Sequence, residues 1–213
     1  FDTSYYLSPG RLNRVELNNA EVFVDYCHNP PGMERLGEFV EGYVKARQGA
    51  SETRISRIGM IGAAGDRRDE DIRELARIAA RHFDVLVIRE DDNLRRRAPG
   101  EAAALLVEGA KQAQSDGARV RVIDTVLNEL DAVRNAVLRS NPGDLVMLCV
   151  DQHAKVLHEL EAFSHKAQAG SRFSDDQPGD PDLDPTELAA EAESAMEQDD
   201  LELREALESS ASE

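Results

Sequence analysis

The chain has only two cysteines, Cys27 and Cys149. Each lies in or beside an apolar, strand-like run, so a disulfide framework is excluded and a reduced, cytoplasmic protein is expected. No apolar run reaches about eighteen residues, which leaves no candidate transmembrane helix. No signal peptide opens the chain, and its first residue is Phe1 rather than Met, so a piece of a longer protein is expected. Positive charge is scarce as well, with 25 Lys and Arg against 42 Asp and Glu and a formal net charge of -17. Without a basic field to attract phosphates, nucleic acid is not an expected partner, and neither is a membrane.

What charge there is lies unevenly. From residue 174 to residue 213 there are fifteen acids and one Arg, so this tail holds -14 of the -17. The remainder is nearly balanced, as an ordinary globular domain would be. Residues 174–185 are rich in Asp, Pro and Gly and read as an acidic linker. Residues 186–208 carry weak helical character through Leu188, Met196, Leu201, Leu203 and Leu207. A largely disordered, solvated tail is expected, dispensable for folding, because its few apolar residues cannot offset chain entropy. The division expected is an interdomain linker ending at residue 12, a folded domain at 13–168 and the acidic tail at 169–213.

The body alternates two periodicities. Residues 14–17 and 21–26 are short extended runs around Asn18-Asn19, a hairpin signal. Residues 33–46 place Leu36, Phe39, Val40, Tyr43 and Val44 at helical spacing. Strands are predicted at 55–61, 85–88, 120–123 and 145–150. Helices are predicted at 69–83, from Pro99 as first residue to 115, at 126–138 and at 153–166. Apolar strands each followed by a helix imply a mostly parallel sheet covered on both faces. The fold class expected is therefore α/β, a three-layer Rossmann-like domain led by a β-hairpin.

Three strand ends carry polar clusters, and in open α/β sheets ligands bind at the carboxyl ends of strands. After the apolar run Val22-Phe23-Val24 come Asp25, His28 and Asn29, then Pro30 before a helix. A carboxylate there suits ribose hydroxyls, and His and Asn suit a purine edge. The bland reading makes Asp25 a helix cap and His28 a packing residue. After the second strand comes Gly62-Ala63-Ala64-Gly65-Asp66-Arg67-Arg68-Asp69, which lets backbone approach a ligand and places Arg67 near a phosphate. Such a turn is also generic in α/β proteins. After the third comes a string from Arg89 to Glu101 containing Asp91, Asp92, Asn93 and Arg95. Its mixed charges can grip both ends of an amino acid, although a dense charge run is more often solvated surface. Asp151-Gln152-His153 follows the last strand, either closing the same edge or starting a helix with Asp as its cap.

The segment Asp25-Tyr26-Cys27-His28-Asn29-Pro30 resembles the Asp-Tyr-Ala-His-Asn-Pro signature of the Mur ligase family, with Cys27 in place of Ala. The turn around Arg67 resembles that family's Gly-Gly-Asp-Arg-Asp turn, with Arg68 inserted before Asp69. Asp92-Asn93-Leu94-Arg95 is similar to its Asp-Asn-Pro-Arg loop, and the longer charged string looks more like the cyanophycin synthetase branch. Pro9-Gly10-Arg11-Leu12-Asn13 resembles the junction of the central and C-terminal domains. The resemblance covers about residues 5–165.

It implies a C-terminal domain of an ATP-dependent amide ligase. In that chemistry a carboxylate becomes an acyl phosphate, and an amine then displaces the phosphate. Asp25, His28, Asn29 and Arg67 would contact ATP, while Asp91, Asp92, Asn93 and Arg95 would read the amino-acid or peptide substrate. In the cyanophycin branch that substrate is Arg, joined to the side-chain carboxylate of an Asp on a growing polymer. Other Mur-type ligases act on UDP-linked muropeptides or folylpolyglutamate. No Gly-x-x-x-x-Gly-Lys-Ser/Thr occurs in the chain. Mg²⁺ and the terminal phosphates would therefore belong to an upstream ATPase domain, in an enzyme expected to be a homo-oligomer. No residue of the chain itself is assigned a catalytic or metal-ligating role, so the chain alone should be inert. A stand-alone nucleotide-binding module, or a scaffold whose acidic tail recruits a basic partner, are the alternatives from other classes.

Overall fold

A computed structural model describes residues 10–17, 19–48 and 54–174, with side chains through residue 164. The acidic tail beyond residue 174, most of the expected linker, Pro9 and Asn18 lie outside the described residues. The elements run β1 (Asn13–Leu17), β2 (Ala20–Asp25), α1 (Pro30–Gln48), β3 (Arg57–Ile61), α2 (Asp69–His82), β4 (Val85–Ile88), α3 (Glu101–Ser115), β5 (Val122–Thr125), α4 (Glu129–Leu138), β6 (Leu145–Cys149) and α5 (His153–Ser174).

They form the expected layered α/β fold. One six-stranded sheet has the order β1-β2-β6-β3-β4-β5. Only β1 is antiparallel, paired with β2 so that Leu17 faces Ala20 across the turn. Asn19 takes the left-handed conformation a tight hairpin needs, with φ of +60°. The other four pairings are parallel.

The apolar strands pack on both faces because successive side chains alternate. Phe23, Ile61, Leu86 and Met147 face α1, α2 and α3. Val22, Val24, Met60 and Leu148 face α4 and α5. The last crossover returns β6 into the middle of the sheet, between β2 and β3. That insertion brings the loops after β2, β6, β3 and β4 side by side on one edge.

Several element ends differ from the sequence expectation for local reasons. Helix α3 starts at Glu101, not Pro99, because Gly100 enters it with φ of +82° and the Glu90 carboxylate accepts the Gly100 and Ala102 amides. Helix α4 starts at Glu129, where the Asn128 side chain caps the Asp131 amide. Strand β5 starts at Val122, since the Val120 amide instead meets the Ala80 carbonyl. Helix α5 continues past Lys166 to Ser174.

Candidate functional site

The carboxyl ends of β2, β6, β3 and β4 open onto one cleft of about 450 Å³, a size typical of small-ligand sites. His28 lines it after β2, Arg67 after β3, and Asp91 and Arg95 after β4. These residues, far apart in sequence, therefore share one site.

His28 lies after the β2 strand end with Nδ1 2.8 Å from the Tyr26 carbonyl oxygen. A carbonyl only accepts, so Nδ1 carries the proton and Nε2 of the neutral ring is an acceptor. Arg67 lines the cleft with no salt-bridge partner among the described residues. Its own turn is closed by its amide on the Ala64 carbonyl, 3.1 Å away. Asp91 is gripped by Arg89, and Arg95 Nη1 lies 3.0 Å from Asp66 Oδ2. The Arg95 pair thus links the loop after β4 to the loop after β3.

The other four predicted residues do not line the cleft. Asp25 accepts the Cys27 amide at 2.9 Å and the Leu12 amide at 3.1 Å. Burial pushes its carboxyl above the usual carboxylate range, against the pull of those two amides and the Arg11 charge. It ties the entry to β1 onto the turn after β2. Asn29 is the N-cap of α1, its Oδ1 accepting the Gly32 amide at 2.9 Å. Asp92 accepts the Gln152 side-chain amide and borders a smaller hollow beside the cleft. Asn93 folds onto its own loop, accepting the Arg95 amide at 3.1 Å.

The cleft also contains residues that the sequence reading did not put there. Arg11 lines it because Gly10 turns with φ of +70° and its carbonyl accepts the Tyr26 amide. No charge pattern marks Arg11; only the Gly10 turn hints at it. Asp66 adds a carboxylate, and so does Asp151, which the sequence left open between closing this edge and capping a helix. Arg89 forms part of the floor, and its side chain is only 2% exposed. Its guanidinium donates to the Cys149 carbonyl and meets Glu129. Glu129 in turn accepts the amides of Asp151 and Gln152, the two residues before α5, at 2.6 and 2.9 Å.

Beside Arg89, a hydrogen bond with Cys27 and complete burial push the Cys149 thiol well above its usual range. Such a thiol is a packing group and a poor nucleophile. Among the described residues, no cluster of three His, Cys, Asp or Glu could hold a metal ion, and no helix is long and apolar enough to cross a membrane.

The arrangement suits a ligand with charge of both signs. Arg11, Arg67 and Arg95 give the walls cations that fit phosphates or a carboxylate. Asp66, Asp91 and Asp151 can face an ammonium or guanidinium group.

Comparison with known proteins agrees with this architecture. The family described as Mur ligase, glutamate ligase domain matches residues 10–150. Cyanophycin synthetase of Crocosphaera subtropica is 38% identical over 148 residues, covering 70% of this chain and 15% of that protein. The Synechocystis cyanophycin synthetase is 36% identical over 162 residues, covering 76% and 17%. The chain thus spans about a sixth of each of these two relatives. A diaminopimelate-adding UDP-N-acetylmuramoyl-peptide ligase of Bradyrhizobium diazoefficiens is 33% identical over 123 residues, covering 57% and 23%. Among solved structures, a murein peptide ligase from Psychrobacter arcticus shares the fold with a TM-score of 0.53 at 13% identity, over 72% of this chain and 29% of that one.

Proposed function

The chain belongs to the Mur ligase C-terminal domain family, and from that premise we propose that it is the C-terminal domain of an ATP-dependent amide ligase of the cyanophycin synthetase kind. In that reading, the full enzyme joins Arg through its α-amine to the side-chain carboxylate of an Asp on a growing polymer. The observation that carries the proposal is the shared cleft. Arg67, from the nucleotide-like turn, and Arg95, from the amino-acid-like loop, face one space of ligand size.

ATP supplies the phosphoryl group that turns the acceptor carboxylate into an acyl phosphate open to attack by an amine. The residues of this chain act around that step. Arg67 and Arg11 offset phosphate charge, and the His28 Nε2 accepts a hydrogen bond from the nucleoside. Arg95 exchanges its Asp66 partner for the carboxylate of the incoming amino acid. Asp66, Asp91 and Asp151 then face that substrate's cationic end. Mg²⁺ and the β- and γ-phosphates fall to a central ATPase domain of the same enzyme, since the chain has no P-loop and the described residues have no metal-binding cluster. Closure of this domain over that one would exclude water from the acyl phosphate. A cytoplasmic setting and a homo-oligomeric enzyme complete the proposal.

The test is ADP release by the full-length protein given ATP, Arg and an Asp-terminated primer, beside the 213-residue chain alone. The full-length protein should release ADP only with all three, and the isolated chain should release none. Substrate-dependent ADP release by the chain alone, or release indifferent to Arg, would overturn the reading. If diaminopimelate with a UDP-linked muropeptide replaced Arg and primer, the chain would belong to the muropeptide branch instead. The resemblance of Asp92-Asn93-Leu94-Arg95 to that branch's loop is what keeps the arm in the experiment.

A further inference from the structure

The loops after β3 and β4 are joined by one side chain that does not line the cleft. Arg97 Nε donates to the Gly65 carbonyl at 2.7 Å. Its Nη2 lies 2.7 Å from both the Arg67 carbonyl and Asp69 Oδ1, and its Nη1 lies 2.7 Å from Glu101 Oε1. The side chain is only 13% exposed. The fork thus touches the turn that carries Arg67, the first residue of α2 and the first residue of α3. The hydrogen bond to Asp69 and the nearby Glu101 raise its already high pKa, so the charge is permanent.

The same residue ends a turn held in an uncommon conformation. Arg95 and Arg96 have φ of +46° and +78°, and the Arg97 amide closes the turn on the Leu94 carbonyl at 3.0 Å. Left-handed non-glycine residues are costly and persist where neighbours hold them. The Leu94 carbonyl in turn lies over Gly65, where a Cβ would come within 2.3 Å of its oxygen. Both loops are therefore packed backbone to backbone, with Arg97 as the bolt.

We propose that Arg97 is a positioning residue for both substrates: it sets Arg67 and Arg95 at a fixed separation across the cleft, so that the nucleotide and the amino acid are held in register. The proposal rests on the function argued above. It goes beyond it by assigning coupling between the two substrate loops to a residue that touches neither substrate. A lysine cannot replace it fully, because a single ammonium cannot reach Gly65, Arg67 and Glu101 together with the spread of a guanidinium.

The experiment uses the full-length enzyme with Arg97→Ala, Arg97→Lys, Asp69→Asn and, as control, Arg77→Ala. Arg77 pairs with Glu70 and Glu74 on α2, away from the cleft. Four quantities are read: the KM for ATP, the KM for the amino acid, the factor by which a saturating amount of one lowers the KM of the other, and the thermal midpoint. Arg97→Ala should raise both KM values, each on the order of tenfold, as expected for a lost charge-assisted contact. The mutual factor should fall toward one, because the side chain that joins the two loops is gone. Arg97→Lys should recover part of both effects, Asp69→Asn should show a small version of them, and Arg77→Ala should show neither.

A rise in one KM alone would overturn the proposal. So would a lower midpoint and lower kcat with both KM values and the mutual factor unchanged. Should Arg97→Ala fail to fold, the same joint rise must be seen in Arg97→Lys. Wild-type enzyme without ATP-dependent ligation would instead remove the functional reading itself, a result distinguishable from either.

Discussion

Arg89 and Glu129 form a buried ion pair under the cleft, with Nε 3.3 Å from Oε1 and side chains 2% and 5% exposed. Through it the end of β4 is joined to the start of α4. The Cys149 carbonyl accepts from the same guanidinium, and the amides of Asp151 and Gln152 donate to the same carboxylate. Removing Glu129 leaves Arg89 paired with Asp91 and leaves the Asp151 and Gln152 amides without their acceptor, and losing one partner of a buried pair typically costs about 3–5 kcal/mol. Glu129→Ala should therefore destabilise the chain by an amount in that range, measured by urea unfolding. A loss under about 1 kcal/mol, the value of a surface pair, would mean that water reaches Arg89.

Two glycines should respond in opposite directions to the same substitution. A Cβ at Gly65 would lie 2.3 Å from the Leu94 carbonyl oxygen, and that backbone can yield only by parting the two loops. Gly65→Ala should cost about 1–3 kcal/mol, as overpacking does. A Cβ at Gly42, within α1, would meet nothing within 4 Å. Gly42→Ala should therefore stabilise by roughly 0.5–1 kcal/mol through helix propensity and a less flexible unfolded chain. Thermal midpoints moving the same way in both variants would refute the argument.

A half-buried carboxylate, Asp25, and a buried one, Asp84, should give opposite pH dependences. At Asp84, burial alone would raise the carboxyl, but Arg119, the Arg57 amide and Arg54 together hold it below the usual range. Its contribution is present above its unfolded pKa of about 3.9 and is lost as pH falls toward the folded value. At Asp25 burial dominates and the folded carboxyl is raised. Its folded form holds the proton more tightly, so stability falls as pH rises from about 3.9 through that raised value. Denaturation across a pH series should show Asp84→Asn with a shallower acid-side loss and Asp25→Asn with a shallower loss above it. An acid limb as steep in Asp84→Asn as in the parent chain would contradict the assignment.

In the full-length enzyme, Arg67→Ala should raise the KM for ATP first, and Arg95→Ala the KM for the amino acid. Each loses one charge-assisted contact, worth on the order of 1.5–3 kcal/mol, or roughly 10- to 150-fold. Asp66, released from Arg95, faces the substrate's cationic end, so Asp66→Ala should raise the KM for the amino acid as well. Steady-state kinetics in which Arg95→Ala alters ATP dependence alone would reassign that loop to the nucleotide.

The strand ends carried most of the legible information. Apolar runs such as Val22-Phe23-Val24 and the strand 85–88 that stop at Asp25 and Arg89 mark where a strand leaves the apolar layer, and the fold puts both ends on one edge. His28, Arg67, Asp91 and Arg95 were picked out by the polar clusters that follow the strands and by the resemblance to the Mur ligase motifs, and all four line the cleft. Asn29 and Asp25 have the same position and type, yet their side chains are taken by the Gly32, Cys27 and Leu12 amides. A polar side chain at a strand end can serve a ligand or its own backbone, and the chain order alone does not say which. Glu129 and Arg97 were illegible for a related reason. Glu129 reads as a first-turn acid and Arg97 as one of a run of exposed arginines, and only their partners from other elements reveal them.

Local chemistry set the alternation of strands and helices, the hairpin joining β1 and β2, and the three polar strand ends, because periodicity and turn chemistry act within a few residues. Tertiary structure alone decided that β6 enters between β2 and β3, that Arg11 reaches the cleft, and that Arg97 binds two loops together. Those outcomes depend on which surfaces meet after the chain has crossed the sheet. A contact between Gly65 and Arg97 spans 32 positions, and its energy exists only once both loops are already in place.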